Sequence, residues 1–190
     1  MIEVTDKKKM AQLKYINELT KSKNVESSEC FRFALLTQNN GQKFIFTTDG
    51  RQARFMPVDY DLSEGVYKII VDKKSCCLVP AQCNRTYPTV DFLINWNSNQ
   101  AYQKIGEYSW VKGPFAVSSL ILDSLTIFPD YKFNVNTYFI LSIFDMSEKE
   151  FKLVHGGYSL SVYVVNDNYK PIVFAGEEVT SIVMPMLYTN

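Results

Sequence analysis

The spacing of apolar residues changes period along the chain. From Asp6 to about Lys23, Met10, Leu13, Ile16 and Leu19, with Tyr15 beside them, fall on one broad arc at about 100° per residue, which predicts an amphipathic helix. Thr5 or Asp6 can cap its start. Lys7, Lys14 and Lys21 recur at a spacing of seven residues and form a basic stripe opposite Ile16, as a solvated outer face would. From Cys30 onward the texture is that of strands. CFRFALLTQ and KFIFTTDG flank Asn39-Asn40-Gly41, and an Asn-Gly pair between two apolar runs signals a hairpin. RQARFMPV and GVYKIIVD follow, separated by DYDLSEG, and then SCCLVP.

The run NWNSNQAYQKIGEYSWVKGP is polar and turn-rich, so it marks a boundary that divides the chain into halves 1–95 and 96–190. AVSSLILDSL is ambiguous between strand and helix. FNVNTYFILSIFDM reads as a strand end feeding a helix of about three turns. After Glu148 come FKLVHG, a glycine turn, YSLSVYVVN, a turn at Asn166-Asp167-Asn168, PIVFAG and TSIVMPML. Each half therefore reads as one main helix followed by antiparallel strands, a βαβββ repeat of pattern. The expected class is α+β with sheets dominant. In the last segment Ile182, Val183, Met184, Met186 and Leu187 are apolar on both sides of the pleat, and Pro185 suits a strand edge or end because it cannot donate to a ladder. Methionine adapts to varied partners, so this segment is either a strand tucked into the core or an apolar wall for something that binds.

Composition narrows the classes. Of the 190 residues 46% are apolar and 14% aromatic, which excludes wholesale disorder. Lys+Arg and Asp+Glu are 20 each, so contact with nucleic acid has to come from local charge rather than the global balance. No stretch has the length of a membrane span or the form of a signal-peptide core, which gives a cytoplasmic expectation. Cys30, Cys76, Cys77 and Cys83 do not suggest a secreted disulfide framework; with His155 as the single histidine they also fit zinc spacing poorly, and they read as buried or idle thiols. No metal or cofactor is expected. There is no Ser-His-Asp spacing, P-loop or dinucleotide fingerprint, and Asp59, Asp61 and Glu64 read as part of a polar loop, so the chain is not read as an enzyme. A β-rich structural or adaptor subunit, such as a phage would carry, suits the high Tyr, Phe and Asn content equally well.

Four stretches resemble a family. TTDGRQARF resembles the Thr-Asp-Gly segment of the middle domain of bacterial β sliding clamps, the ring-shaped processivity factors of DNA polymerase. RTYPTVDFLI resembles the segment that closes that domain, KFNVNTYFILSIFD is similar to the strand-to-helix passage of the last domain, and SIVMPML resembles the C-terminal strand. They occur in the family's order. The residues after TDGR depart from the family's usual His-Arg-Leu, and the spacings leave room for about one and a half of the family's three domains. The resemblance thus implies a compact, divergent clamp of the kind a phage or mobile element carries.

The resemblance also implies a role without catalysis. A clamp encircles duplex DNA with lysine-bearing helices facing phosphates, contacts that are sequence-blind and salt-sensitive. Lys7, Lys8, Lys9, Lys14, Lys21 and Lys23 are the DNA-facing candidates. The family's partner pocket, carried over by position, comprises Thr48, Asp49, Gly50, Arg51, Pro88, Leu93, Val183, Met184, Pro185 and Met186, and would accept short linear motifs of DNA polymerase and other clamp-binding proteins. A leucine or phenylalanine anchor buried there contributes about 1.5–3 kcal/mol, which suits partners that exchange. A chain this short implies a homo-oligomeric ring of three or more copies. A monomeric mimic that competes for clamp partners is the alternative within the same resemblance.

Overall fold

A computed structural model describes residues 1–22, 28–110, 115–130, 135–167 and 169–185, which fall into two compact units, Met1–Ile94 and Asn95–Asn190. The first unit contains β1 (Ile2–Val4), α1 (Lys7–Asn17), β2 (Ala34–Asn39), β3 (Gln42–Thr48), β4 (Gln52–Val58), β5 (Gly65–Val71), β6 (Cys76–Pro80) and the short α2 (Asp91–Ile94). Its strands pair antiparallel in the order β1-β6-β5-β2-β3-β4. The β2–β3 hairpin turns through Asn40 (φ 48°) and Gly41 (φ 83°), the two positive angles that the Asn-Gly pair anticipates.

Asp6 is the cap of α1, its carboxylate accepting from the Lys9 amide at 2.8 Å. Leu13 and Ile16 are fully buried on the inner face of the helix. The helix stops at Asn17 instead of continuing to Lys23, because the sheet takes its last carbonyls. Thr47 Oγ1 donates to the Ile16 carbonyl at 2.7 Å and Arg54 Nη1 to the Tyr15 carbonyl at 2.6 Å. Lys21 consequently lies in a separate 3₁₀ turn, Leu19–Lys21, and the basic stripe expected along one helix breaks after Lys14. Lys23 lies outside the described residues.

Two further expectations are corrected in this unit. CFRF is not the start of a strand: Glu29–Arg32 form a 3₁₀ turn and β2 begins at Ala34. Cys30 and Cys83 are not idle thiols but a disulfide with a Cα–Cα distance of 5.7 Å, while Cys76 and Cys77 are free. The pair is separated by 53 residues and meets only because the segment after β6 returns to the one before β2. This return also explains why Ile45, Phe46, Thr47 and Thr48 are all buried, against strand alternation. The α1 helix covers the Thr47 face, and Tyr87 packs edge-on against Phe46 on the other, ring centroids 6.4 Å apart.

The second unit contains β7 (Gln103–Ser109), α3 (Phe115–Ile127), α4 (Thr137–Phe144), α5 (Glu148–His155), β8 (Ser159–Val164), β9 (Ile172–Ala175) and β10 (Thr180–Val183). The strands pair antiparallel in the order β7-β8-β9-β10. Phe139, Ile140, Ile143 and Phe144 of α4, Phe151 of α5, and Leu160, Val162, Phe174 and Val183 of the sheet belong to one buried cluster. The ambiguous AVSSLILDSL is part of a helix. FKLVHG, expected as a strand, is also helical. Ser147 caps α5 through the Glu150 amide, Glu148 and Glu150 sit in its first turn, and Gly156 (φ 86°) closes it in the left-handed conformation. Among the described residues this unit thus carries three α-helices where the pattern gave one main helix, and the class remains α+β. No helix among the described residues is long and apolar enough to cross a membrane.

Candidate functional site

The Thr-Asp-Gly segment is the tight connection between β3 and β4. Asp49 is 2% exposed, and its Oδ1 accepts from the backbone amides of Arg51 (2.9 Å) and Gln52 (2.8 Å). Thr48 Oγ1 donates to the Gln52 carbonyl at 2.7 Å and accepts from the Gly50 amide at 3.0 Å. Gly50 has φ 84°, and a Cβ there would approach the Phe31 ring to 3.2 Å, so two constraints favour glycine. The two buried side chains shape the loop, and the loop presents Gly50 and Arg51, both exposed.

The Tyr-Pro segment lies on the same unit. The Tyr87 hydroxyl donates to the Phe33 carbonyl at 3.3 Å, and its ring contacts Phe46, the residue two before Thr48 in β3. Burial pushes the Tyr87 phenol up, and a hydrogen bond with the Thr48 backbone opposes this in part. The structure thus ties the Thr48–Arg51 turn to the segment that presents Pro88, which is exposed. Leu93, by contrast, is buried in α2. Tyr87 makes this tie and is absent from the pocket positions carried over, although it stands in RTYPTVDFLI beside Pro88.

On the second unit, β10 ends at Val183, paired with Ile172 of β9. Val183 is 1% exposed and belongs to the buried cluster, while Met184 and Pro185 follow the strand and are half-buried. The tucked-in reading therefore describes Val183, and the residues beyond it leave the ladder where proline requires it. Met186 lies outside the described residues.

Among the lysines, Lys7 and Lys8 are exposed in the first turn of α1, Lys21 is exposed in its 3₁₀ turn, and Lys14 is half-buried. Lys9 pairs with Asp59 at 2.7 Å, and its hydrogen bond holds the Asp59 carboxyl below the usual carboxylate range. Its charge is thereby offset within the unit. The first turn of α1 contains no acidic residue, and the Asp6 carboxylate that caps it is the acidic group set against its lysines and the positive end of the helix dipole.

No protein-family model matches the chain, and no curated protein matches it by sequence. The solved structures do match. The DNA polymerase sliding clamp of Pseudomonas aeruginosa superposes with a TM-score of 0.56 at 9% identity, covering 98% of this chain and 66% of the clamp chain. The DNA polymerase III β chain of Streptococcus pneumoniae gives 0.57 at 6% identity, with 98% and 64% covered. The chain has the β-clamp fold. The Helicobacter pylori β clamp bound to a DNA ligase peptide gives 0.50 at 10% identity, with 98% and 65% covered. The chain spans about two thirds of the length of these clamp chains, more than the one and a half domains of three that the motif spacings implied. At such identities the likeness is one of backbone and packing.

The role of Asp49 in this clamp-fold unit can be measured. Asp49→Ala leaves the Arg51 and Gln52 amides without their acceptor, at a cost of about 1–3 kcal/mol, which lowers the melting temperature by about 5–15 °C. Asp49→Asn retains Oδ1 and should lose less than half as much. Thermal melts followed by circular dichroism distinguish this from a surface aspartate, for which both substitutions would be neutral.

Proposed function

We propose that this protein is a sliding clamp. It performs no chemistry of its own, closes as a homo-oligomer of three or more copies around duplex DNA, and holds short peptides of DNA polymerase and other replication or repair proteins. The observation that carries this reading is the extent of the fold match: 98% of the chain follows the backbone of solved bacterial clamps at TM-scores of 0.56 and 0.57. The exposed Lys7 and Lys8 are assigned the sequence-blind phosphate contacts that sliding requires. Peptide contact is assigned to Gly50, Arg51 and Pro88 on the first unit and, separately, to Met184 and Pro185 with Met186 after β10. Thr48, Asp49, Leu93 and Val183 are the supports behind these residues.

Light scattering behind a sizing column should give one discrete oligomer across a range of protein concentrations. Loaded on a nicked circular duplex, the oligomer should remain bound through a salt wash and be lost when the circle is linearised. Lys7→Glu together with Lys8→Glu should lower binding to duplex DNA by about tenfold at low salt without changing the mass of the particle. A monomer that still binds a clamp-directed peptide would point to a mimic. An assembly with affinity for neither DNA nor peptide would point to a structural subunit.

A further inference from the structure

Residues 81–90 leave β6 at the Ala81 amide, which donates to the Val66 carbonyl at 2.9 Å, and next join regular structure at α2. Between these points the segment has neither helix nor strand. Its covalent tie and its side-chain hydrogen bonds to Glu29 and Phe33 converge on the 3₁₀ turn of Glu29–Arg32 and the residue after it, while the Tyr87 ring also rests on Phe46 of β3. Cys83 is bonded to Cys30, Asn84 Nδ2 lies 3.5 Å from Glu29 Oε2, and the Tyr87 hydroxyl bonds the Phe33 carbonyl. The same turn supports the Thr48–Arg51 loop through Phe31, whose ring lies under Gly50. One covalent bond therefore fastens the segment that presents Pro88 to the turn that lies beneath the loop of Arg51.

We infer that Cys30–Cys83 is a redox-sensitive staple: thiol–disulfide exchange at this pair releases segment 81–90, and with it Tyr87 and Pro88, from the turn beneath the Thr48–Arg51 loop. Cys30 is fully buried and Cys83 half-buried, so Cys83 is the sulfur open to attack. A dithiol reductant supplies the thiolate. It bonds to Cys83, the Cys30–Cys83 bond breaks with its electron pair leaving on Cys30, and Cys30 takes up a proton. The second thiol of the reductant then displaces Cys83 as a thiol, so the protein gains two electrons and two protons while the dithiol becomes a disulfide. The reduced state has a resting place prepared. The Arg85 carbonyl lies 2.9 Å from Cys30 Sγ, an acceptor that only a protonated thiol can use. A thiol is a weak donor, so this contact replaces a covalent tie with a loose one. Cys76 stays apart from the exchange, since burial pushes its thiol up and away from the reactive thiolate.

The consequence for peptide binding rests on the clamp reading; the release of the segment does not. Hydrogen exchange with mass spectrometry on the full chain, with and without a dithiol, reads the release directly. Amides within 81–90 should exchange about tenfold faster after reduction, while those of β8 and β9 on the second unit keep their rates. Cys83→Ser and Cys30→Ser should each show the fast rate already and respond no further to reductant. Alkylation in denaturant should label two cysteines before reduction and four after it. Four labelled at the outset, or unchanged exchange in 81–90 once reduction is complete, overturns the staple. A fluorescent copy of the DNA ligase peptide then separates the two ideas. If the clamp reading holds, its dissociation constant should rise about tenfold on reduction, as the binding-competent loop falls to about a tenth of the population. Peptide binding that is equal in both states overturns the control of binding by the staple. Faster exchange with no peptide binding in either state overturns the peptide-binding reading and leaves the staple standing.

Discussion

Replacing Arg54 with alanine should destabilise the first unit by about 3–5 kcal/mol, one of the largest effects expected of any single substitution in this protein. The Arg54 side chain is 3% exposed, yet it carries a full charge. Its guanidinium lies 3.8 Å over the Tyr15 ring and donates to the Tyr15 carbonyl at 2.6 Å and to Glu18 Oε2 at 2.9 Å. It therefore satisfies a carbonyl at the end of α1, places a cation against the negative end of the helix dipole, and fills the space between helix and sheet. Alanine removes all three contributions and leaves the carbonyl buried. The partner carboxylate matters much less. The Glu18 side chain is 65% exposed, so its half of the ion pair is screened by water, and Glu18→Ala should cost under about 1 kcal/mol. Arg54→Lys should recover little, because an ammonium cannot stack flat on the Tyr15 ring and is more strongly hydrated than a guanidinium, so it is costlier to bury. Urea unfolding combined with hydrogen exchange of the α1 amides measures all three. Equal effects of Arg54→Ala and Glu18→Ala would mean that the helix end is not held in this way.

Phe151→Ala should do comparable damage to the second unit. Phe151 is fully buried in α5, stacked at 5.9 Å from Phe144 and packed 4.6 Å from the His155 ring. Truncating such a side chain leaves a cavity that costs about 3–5 kcal/mol. Phe151→Leu retains most of the volume and should cost about 1–1.5 kcal/mol. The chain supplies its own reporter, since both tryptophans, Trp96 and Trp110, lie in the second unit. Trp110 packs against the buried cluster and donates from its indole nitrogen to the Met146 carbonyl at 2.7 Å. Denaturant unfolding followed by tryptophan fluorescence should therefore shift strongly for Phe151→Ala and far less for Arg54→Ala. The two transitions respond separately only if each unit's core governs its own unfolding.

The elements that were legible in the sequence are those whose local chemistry agrees with their setting. The Asn40-Gly41 turn, the runs of β4, β5 and β6, and the Asp6 cap required nothing from elsewhere in the chain. The misread elements each have an identifiable cause. The alternating character of Phe151-Lys152-Leu153 resembles a strand, while the helical signal sat upstream in Ser147 and Glu150. In β7, Ile105 and Tyr108 are both buried although three residues apart, which a regular strand forbids. A register shift between Lys104 and Gly106 restores the parity, and it erases the alternation that reveals a strand. The α1 helix ended early because Thr47 and Arg54, 31 and 39 residues beyond the carbonyls they bind, claim them. At the candidate site, the Thr-Asp-Gly and Tyr-Pro segments were recognisable as text. That Asp49 points inward to hold two amides, and that Phe31, Cys30 and Tyr87 stand behind the exposed residues, depends on the fold of the segment after β6.

The pairing of β1 with β6 has a consequence for how the protein is made. Ile2 to Val4 align with Leu78 to Cys76, so β1 pairs with a strand synthesised some seventy residues after it. At about 5–20 residues per second the wait is roughly 4–15 seconds, before allowance for the exit tunnel. The β2–β3 hairpin closes within microseconds of its own synthesis. Throughout that interval the β1 segment has no ladder partner, and β5, made just before β6, keeps an open edge only until β6 follows. A strand-forming segment kept that long without its ladder partner offers unpaired backbone groups to any neighbouring chain.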